Sequence, residues 1–160
     1  MKTEPHENFE IITQLNQEEI LEKLDTIIET DYSKYHKIKR IDKLFLGHYT
    51  LDSFYALTAQ TYFASNRQKI EIKGSISQEP NRSCLIKVSI NSETNFKVSL
   101  ITSILFAIIG SYFIYKINAK DFFIIALPYI FITLHFISYF MVKREISETK
   151  TMMEKLLSKI

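Results

Sequence analysis

The chain is 160 residues long, enough for one small domain and a membrane segment but not for two independent cores. Its 20 basic and 18 acidic residues leave a formal charge of +2, too balanced to point to nucleic acid as a partner. One cysteine, Cys84, excludes an intramolecular disulfide framework and fits a reducing compartment, and the acidic opening MKTEPHENFE lacks the apolar core of a secretory signal.

Residues 1–7 read as a frayed start, and 8–92 as a cytoplasmic α+β domain. Phe9 to Thr13 favours a short strand. Asn16 followed three residues later by Glu19 has the reciprocal spacing of a capping box. Ile20, Leu21, Leu24, Ile27 and Ile28 then recur at helical spacing, which predicts an amphipathic helix over 17–30. The basic stretch 34–43 interleaves Lys34, Lys37, Lys39, Arg40 and Lys43 with tyrosine and isoleucine. It reads either as a solvated linker or as a contact for anionic lipid headgroups, each basic residue adding ~1 kcal/mol near such a surface.

Leu44 to Thr50 and Phe54 to Gln60 flank the turn-forming Leu51-Asp52-Ser53. Lys69 to Ile76 alternates strictly, with Ile70, Ile72, Gly74 and Ile76 on one face. Cys84, Ile86, Val88 and Ile90 alternate in the same way. Period-two patterning predicts a small antiparallel sheet with one dry face, covered by the helix over 17–30. Gly74 inside a strand implies close approach by a neighbouring group.

Two apolar runs follow. The first is charge-free from Val98 until Lys116, and the second, Phe122 to Val142, carries no charge at all. Roughly 20 apolar residues at ~1.5 Å rise span a ~30 Å hydrocarbon core. The pattern therefore predicts transmembrane helices over 97–117 and 122–142 joined by a hinge at 118–121: a two-helix transmembrane hairpin. Arg82, Lys87, Lys97, Lys143, Arg144, Lys150, Lys155 and Lys159 flank its open end, against Lys116 and Lys120 at the hinge. The positive-inside rule then predicts a multi-pass protein of the inner (cytoplasmic) membrane with both termini cytoplasmic.

Within the runs, Ser99, Ser103, Ala107 and Ser111 recur every fourth residue beside Gly110, a stripe that lets a helix approach closely. It serves packing inside the hairpin or pairing with a second copy. His135 is the one ionisable side chain in either run before its charged end. A hydroxyl partner near Thr102 or Ser103 accounts for it, whereas a proton relay wants a second titratable group that neither run supplies. Residues 143–160 form a further amphipathic helix on Ile146, Met153, Leu156, Leu157 and Ile160. It either turns its apolar face to the sheet or lies on the membrane surface.

The order FEIITQLNQEEILEKL, GHYTLDSF and KIEIKGSI, then two spans and a charged helix, resembles a group of small bacterial two-span membrane proteins. The resemblance implies a strand-helix-strands domain ahead of a terminal hairpin, and no activity. The isolated histidines 6, 36 and 48, the three glycines and the absence of a Gly-x-Ser-x-Gly elbow offer no metal site, cofactor or catalytic constellation.

The function expected from these features is a non-enzymatic, membrane-anchored interaction module. It presents its α+β domain to a partner protein or to lipid headgroups. The partners are the bilayer, anionic headgroups, a protein or a second copy, with no nucleic acid. The alternative is apolar small-molecule or lipid handling in a cavity between sheet and helix.

Overall fold

In the computed structural model, residues 5–31, 43–58, 70–79, 83–92, 96–117 and 122–158 are described. Their elements run β1 (His6–Thr13), α1 (Gln17–Ile27), β2 (Ile28–Glu29), β3 (Phe45–Tyr49), β4 (Ser53–Thr58), β5 (Ile70–Gln78), β6 (Cys84–Ser92), α2 (Phe96–Lys116) and α3 (Phe122–Leu157). Backbone contacts divide the chain into two units. One holds the stretch Thr94–Arg144; the other holds His6–Glu93 with Glu145–Ile160, so the boundary falls inside α3.

The sheet unit starts from local signals. Asn16 Oδ1 accepts from the Glu19 amide at 2.8 Å, and the Asn16 amide donates to Glu19 Oε2 at 2.9 Å, completing the capping box expected at the start of α1. The helix ends three residues earlier than its periodicity suggests. Ile28 leaves the helical region (φ −106°, ψ 121°) and pairs with Phe45, while Glu29 pairs with Leu46.

That pairing is parallel, so the sheet is mixed, correcting the purely antiparallel expectation. The stretch from Glu29 to Phe45 is long enough for the dozen or more residues that a parallel connection needs. The six strands among the described residues lie in the order β1-β6-β5-β4-β3-β2. β3 to β6 form an antiparallel meander, turned between β3 and β4 where Thr50 N–H donates to the Ser53 carbonyl at 2.7 Å. The first strand closes on the last, from His6↔Asn91 to Thr13↔Cys84.

Register stacks the alternating apolar residues into one dry face. Ile72 lies between Ala56 and Ile90, and Ile86 between Ile76 and Ile11. These side chains are buried, as are Ile20, Leu24 and Ile27 of α1 and Ile146, Thr149, Met153 and Leu157 of α3. Each fully buried Ile or Leu contributes about 1.5–3 kcal/mol. Lys23 Nζ donates to the Leu156 carbonyl at 2.6 Å. Lys150 Nζ reaches Glu7 Oε1 at 2.6 Å and stands 5.4 Å from the Phe9 ring centroid. The C-terminal turns thus belong with the sheet. Gly74 does admit a close neighbour: a β carbon there would overlap the ring of Phe54, its partner across the strands.

The other unit is a pair of antiparallel helical stretches, Phe96–Lys116 and the first part of α3. Phe106 and Phe131 rings lie 5.1 Å apart, and Phe96 meets His135 and Tyr139 edge-on at 5.9 and 5.5 Å. Among the described residues one helix, α2, is long and apolar enough to cross a membrane. The two-helix transmembrane hairpin expected from the sequence is therefore corrected to one candidate span. The second run is not a separate span-sized segment ending at Val142. It is the first part of a 36-residue helix, ~54 Å long at ~1.5 Å per residue, whose later turns carry Lys143, Arg144, Glu145, Glu148 and Lys150. The multi-pass assignment and the orientation of the termini fall with it, because the charge count compared the two ends of a hairpin.

Candidate functional site

With one face of the sheet dry, the opposite face carries its polar side chains to solvent. Across β1, β6 and β5 these form two parallel rows: Asn8–Ser89–Lys73 and Glu10–Lys87–Ser75. Between the rows runs Phe9–Val88–Gly74, whose side-chain positions point to the dry face, so the floor there is bare backbone. The result is an open concavity of about 510 Å³. That volume falls within the ~300–1,000 Å³ of small-ligand clefts.

The centre of the concavity is a square. Lys73 faces Ser89 and Ser75 faces Lys87, so the two lysines occupy one diagonal and the two serines the other. Diagonal cross-strand positions are ~7–8 Å apart, within reach of long side chains. Lys73 Nζ lies 2.9 Å from Glu71 Oε1 and 5.8 Å from the Tyr55 ring centroid, and that ring stacks on His48 at 5.5 Å. Lys87 Nζ lies 3.3 Å from Glu10 Oε1, and Ser89 Oγ accepts from Asn91 Nδ2 at 3.1 Å. Both lysine side chains are more than half exposed (57% and 60%), so these are exchangeable surface pairs, worth ~0–1 kcal/mol.

No family model, curated protein or solved structure matches this chain. What the surface recognises has to be argued from its own chemistry. Among the described residues no group of three or more His, Cys, Asp or Glu side chains is placed to hold a metal ion.

Of the sequence-derived basic stretch, Lys34, Lys37, Lys39 and Arg40 lie outside the described residues. Lys43 is engaged within the fold, bonding Asp25 Oδ1 and the Ile28 carbonyl, each at 3.1 Å. Asp25 also accepts from the Tyr49 hydroxyl at 2.6 Å. The Tyr49 bond, then Lys43, holds the Asp25 carboxyl below its ordinary range, and the same bond pushes the Tyr49 phenol up to about 12. Cys84 is buried, and burial raises its thiol, the opposite of what a reactive cysteine needs.

The small-residue stripe lies where the two helical stretches meet. Ser103 and Ala107 are buried, and Ser99, Gly110 and Ser111 are half-buried. His135 is 7% exposed, and its Nδ1 sits 3.1 Å from Ser99 Oγ, one turn before the hydroxyls expected from folding the hairpin at its hinge. Ser111 Oγ lies 3.1 Å from the Tyr129 hydroxyl.

The alternation of β5 and β6 is legible in the sequence, but it singles out no residue of the polar face. The available signal was a repeated triplet, Lys73-Gly74-Ser75 and Lys87-Val88-Ser89. Antiparallel pairing crosses two such triplets into the square, provided their centres are in register.

Proposed function

We propose that this chain is a non-enzymatic, membrane-associated interaction module whose recognition surface is the open polar face of the sheet. The observation that carries the reading is the contrast between the two faces. The dry face is closed by fully buried side chains, including Ile20, Leu24, Ile72, Ile90, Met153 and Leu157, while the concavity with its lysines and serines lies on the other side. The apolar-ligand alternative calls for a cavity between sheet and helix, and the closed packing there favours surface recognition instead.

Attachment to a membrane is supported by α2. Of its 21 residues only Phe96, Ser103 and Ala107 are buried, unlike the core helix of a water-soluble protein. Leu105, Phe106, Ile108 and Phe113 are each more than half exposed, and the exposure extends to Leu127, Leu134 and Phe140 of α3. An apolar surface this continuous calls for lipid around it.

The test uses the full chain in cells with a photoreactive residue at Ser75 or Ser89, and a control at the exposed Glu22 on α1. The chain is expected to resist alkaline extraction from membranes. A defined adduct, protein or lipid, is expected at both serine positions and not at Glu22. Full release by alkaline wash removes the membrane part of the reading; identical labelling at all three positions removes the recognition surface.

A further inference from the structure

The recognition surface carries a more specific chemistry than polarity alone. Lys73, Ser75, Lys87 and Ser89 form a square around a stretch of bare backbone, with the two ammonium groups resting just outside it, on Glu71 and Glu10. Swung inward on their long stems from these diagonal positions, both ammonium groups can reach one oxyanion, while the serines, on shorter stems, donate from the remaining corners. An anion alone, however, ignores the rest of the lining. Glu10 stands beside Lys87 in the same row, with Asn8 in the facing row of the same strand. A bound anion that draws Lys87 away leaves the Glu10 carboxylate without its ion-pair partner at 3.3 Å.

We propose that the concavity binds a zwitterionic phosphate ester bearing a primary amine, of the phosphoethanolamine type. The phosphate sits over the Lys73–Ser75–Lys87–Ser89 square, and the ammonium takes the place of Lys87 at Glu10. The exchange at Glu10 is inexpensive, because both side chains of that pair are more than half exposed, and Lys73 reaches the phosphate by swinging away from the part-buried Glu71. The same chemistry arises from two sources, a phospholipid headgroup and a soluble phospho-amine. This inference rests on the open face being the recognition surface and names the group recognised there.

The experiment uses the full chain in phosphatidylcholine nanodiscs, titrated with O-phosphoethanolamine and followed by calorimetry and phosphorus NMR. Saturable binding is expected, with inorganic phosphate or ethanolamine alone at least about tenfold weaker, since each lacks a charge-assisted contact. Lys73→Gln combined with Lys87→Gln should weaken binding by about tenfold or more. Glu10→Gln should remove the preference over inorganic phosphate while leaving phosphate binding itself in place. An unchanged thermal unfolding midpoint in each variant separates loss of the site from loss of the fold. If nanodiscs rich in phosphatidylethanolamine lower the apparent affinity, the headgroup is the source; if they do not, it is the soluble ester. Absence of saturable binding by the folded chain overturns the proposal. So does equal binding of inorganic phosphate, or indifference to the lysine replacements. Adducts persisting at Ser75 and Ser89 after such a failure leave the recognition surface standing with a different ligand.

Discussion

Gly74→Ala tests the sheet packing where a ring lies against a glycine. The backbone at Gly74 has no left-handed strain, so alanine in place of glycine would by itself stabilise by about 0.4–1 kcal/mol through the unfolded chain. Against this, the new methyl would overlap the ring of Phe54, which is 3% exposed and directly opposite on β4. Forcing extra volume into a filled core costs about 1–3 kcal/mol. Packing wins, and the net loss should be about 1–2 kcal/mol.

For a unit of roughly 100 residues that lowers the unfolding midpoint by about 4–8 °C per kcal/mol. The assay is thermal unfolding of the full chain in detergent, followed by near-ultraviolet circular dichroism of its tyrosines. Phe54→Leu removes the obstructing ring atoms. In that background Gly74→Ala should be neutral or stabilising, a coupling of about 0.5–3 kcal/mol between the two positions. Additive losses, or a single Gly74→Ala variant as stable as the parent, would refute the ring-on-glycine account.

Asn16→Ala should cost about 1 kcal/mol by removing the cap of α1, seen as faster hydrogen exchange at the Glu19 amide. Tyr49 should ionise near pH 12, read as the difference in phenolate absorbance between the parent and Tyr49→Phe. Because the folded value is raised, the Tyr49–Asp25 bond is fully present below the unfolded phenol value of about 10 and is lost as pH rises through 12. Asp25→Asn should return the phenol toward its ordinary value; no change on that substitution would remove Asp25 as the cause. Ser103→Leu or Ala107→Leu should loosen the helix pair by about 1–3 kcal/mol. Ile108→Leu, on an exposed position, should be near neutral, and equal tolerance at all three sites would deny the stripe its packing role.

Several features were legible because they are local. The Asn16–Glu19 spacing determined the start of α1, and strict alternation in β5 and β6 determined which side chains face the core. Gly74 announced the close approach that Phe54 makes. Short-range periodicity carries this information, since neighbours along the chain share a face whatever lies opposite. The remainder depended on partners far away in the chain. Ile28 belongs by periodicity to the end of a helix and by pairing to β2, because Phe45 offers it a strand. α3 reads in sequence as two elements joined at Val142 and runs as one, because nothing there breaks the helix and its last turns bury Met153 and Leu157 in the sheet unit. The lysine–serine square arises only when Gly74 meets Val88. A slip of one residue would turn every side chain of a strand to the other face, so register is a property of the assembled sheet and not of either strand.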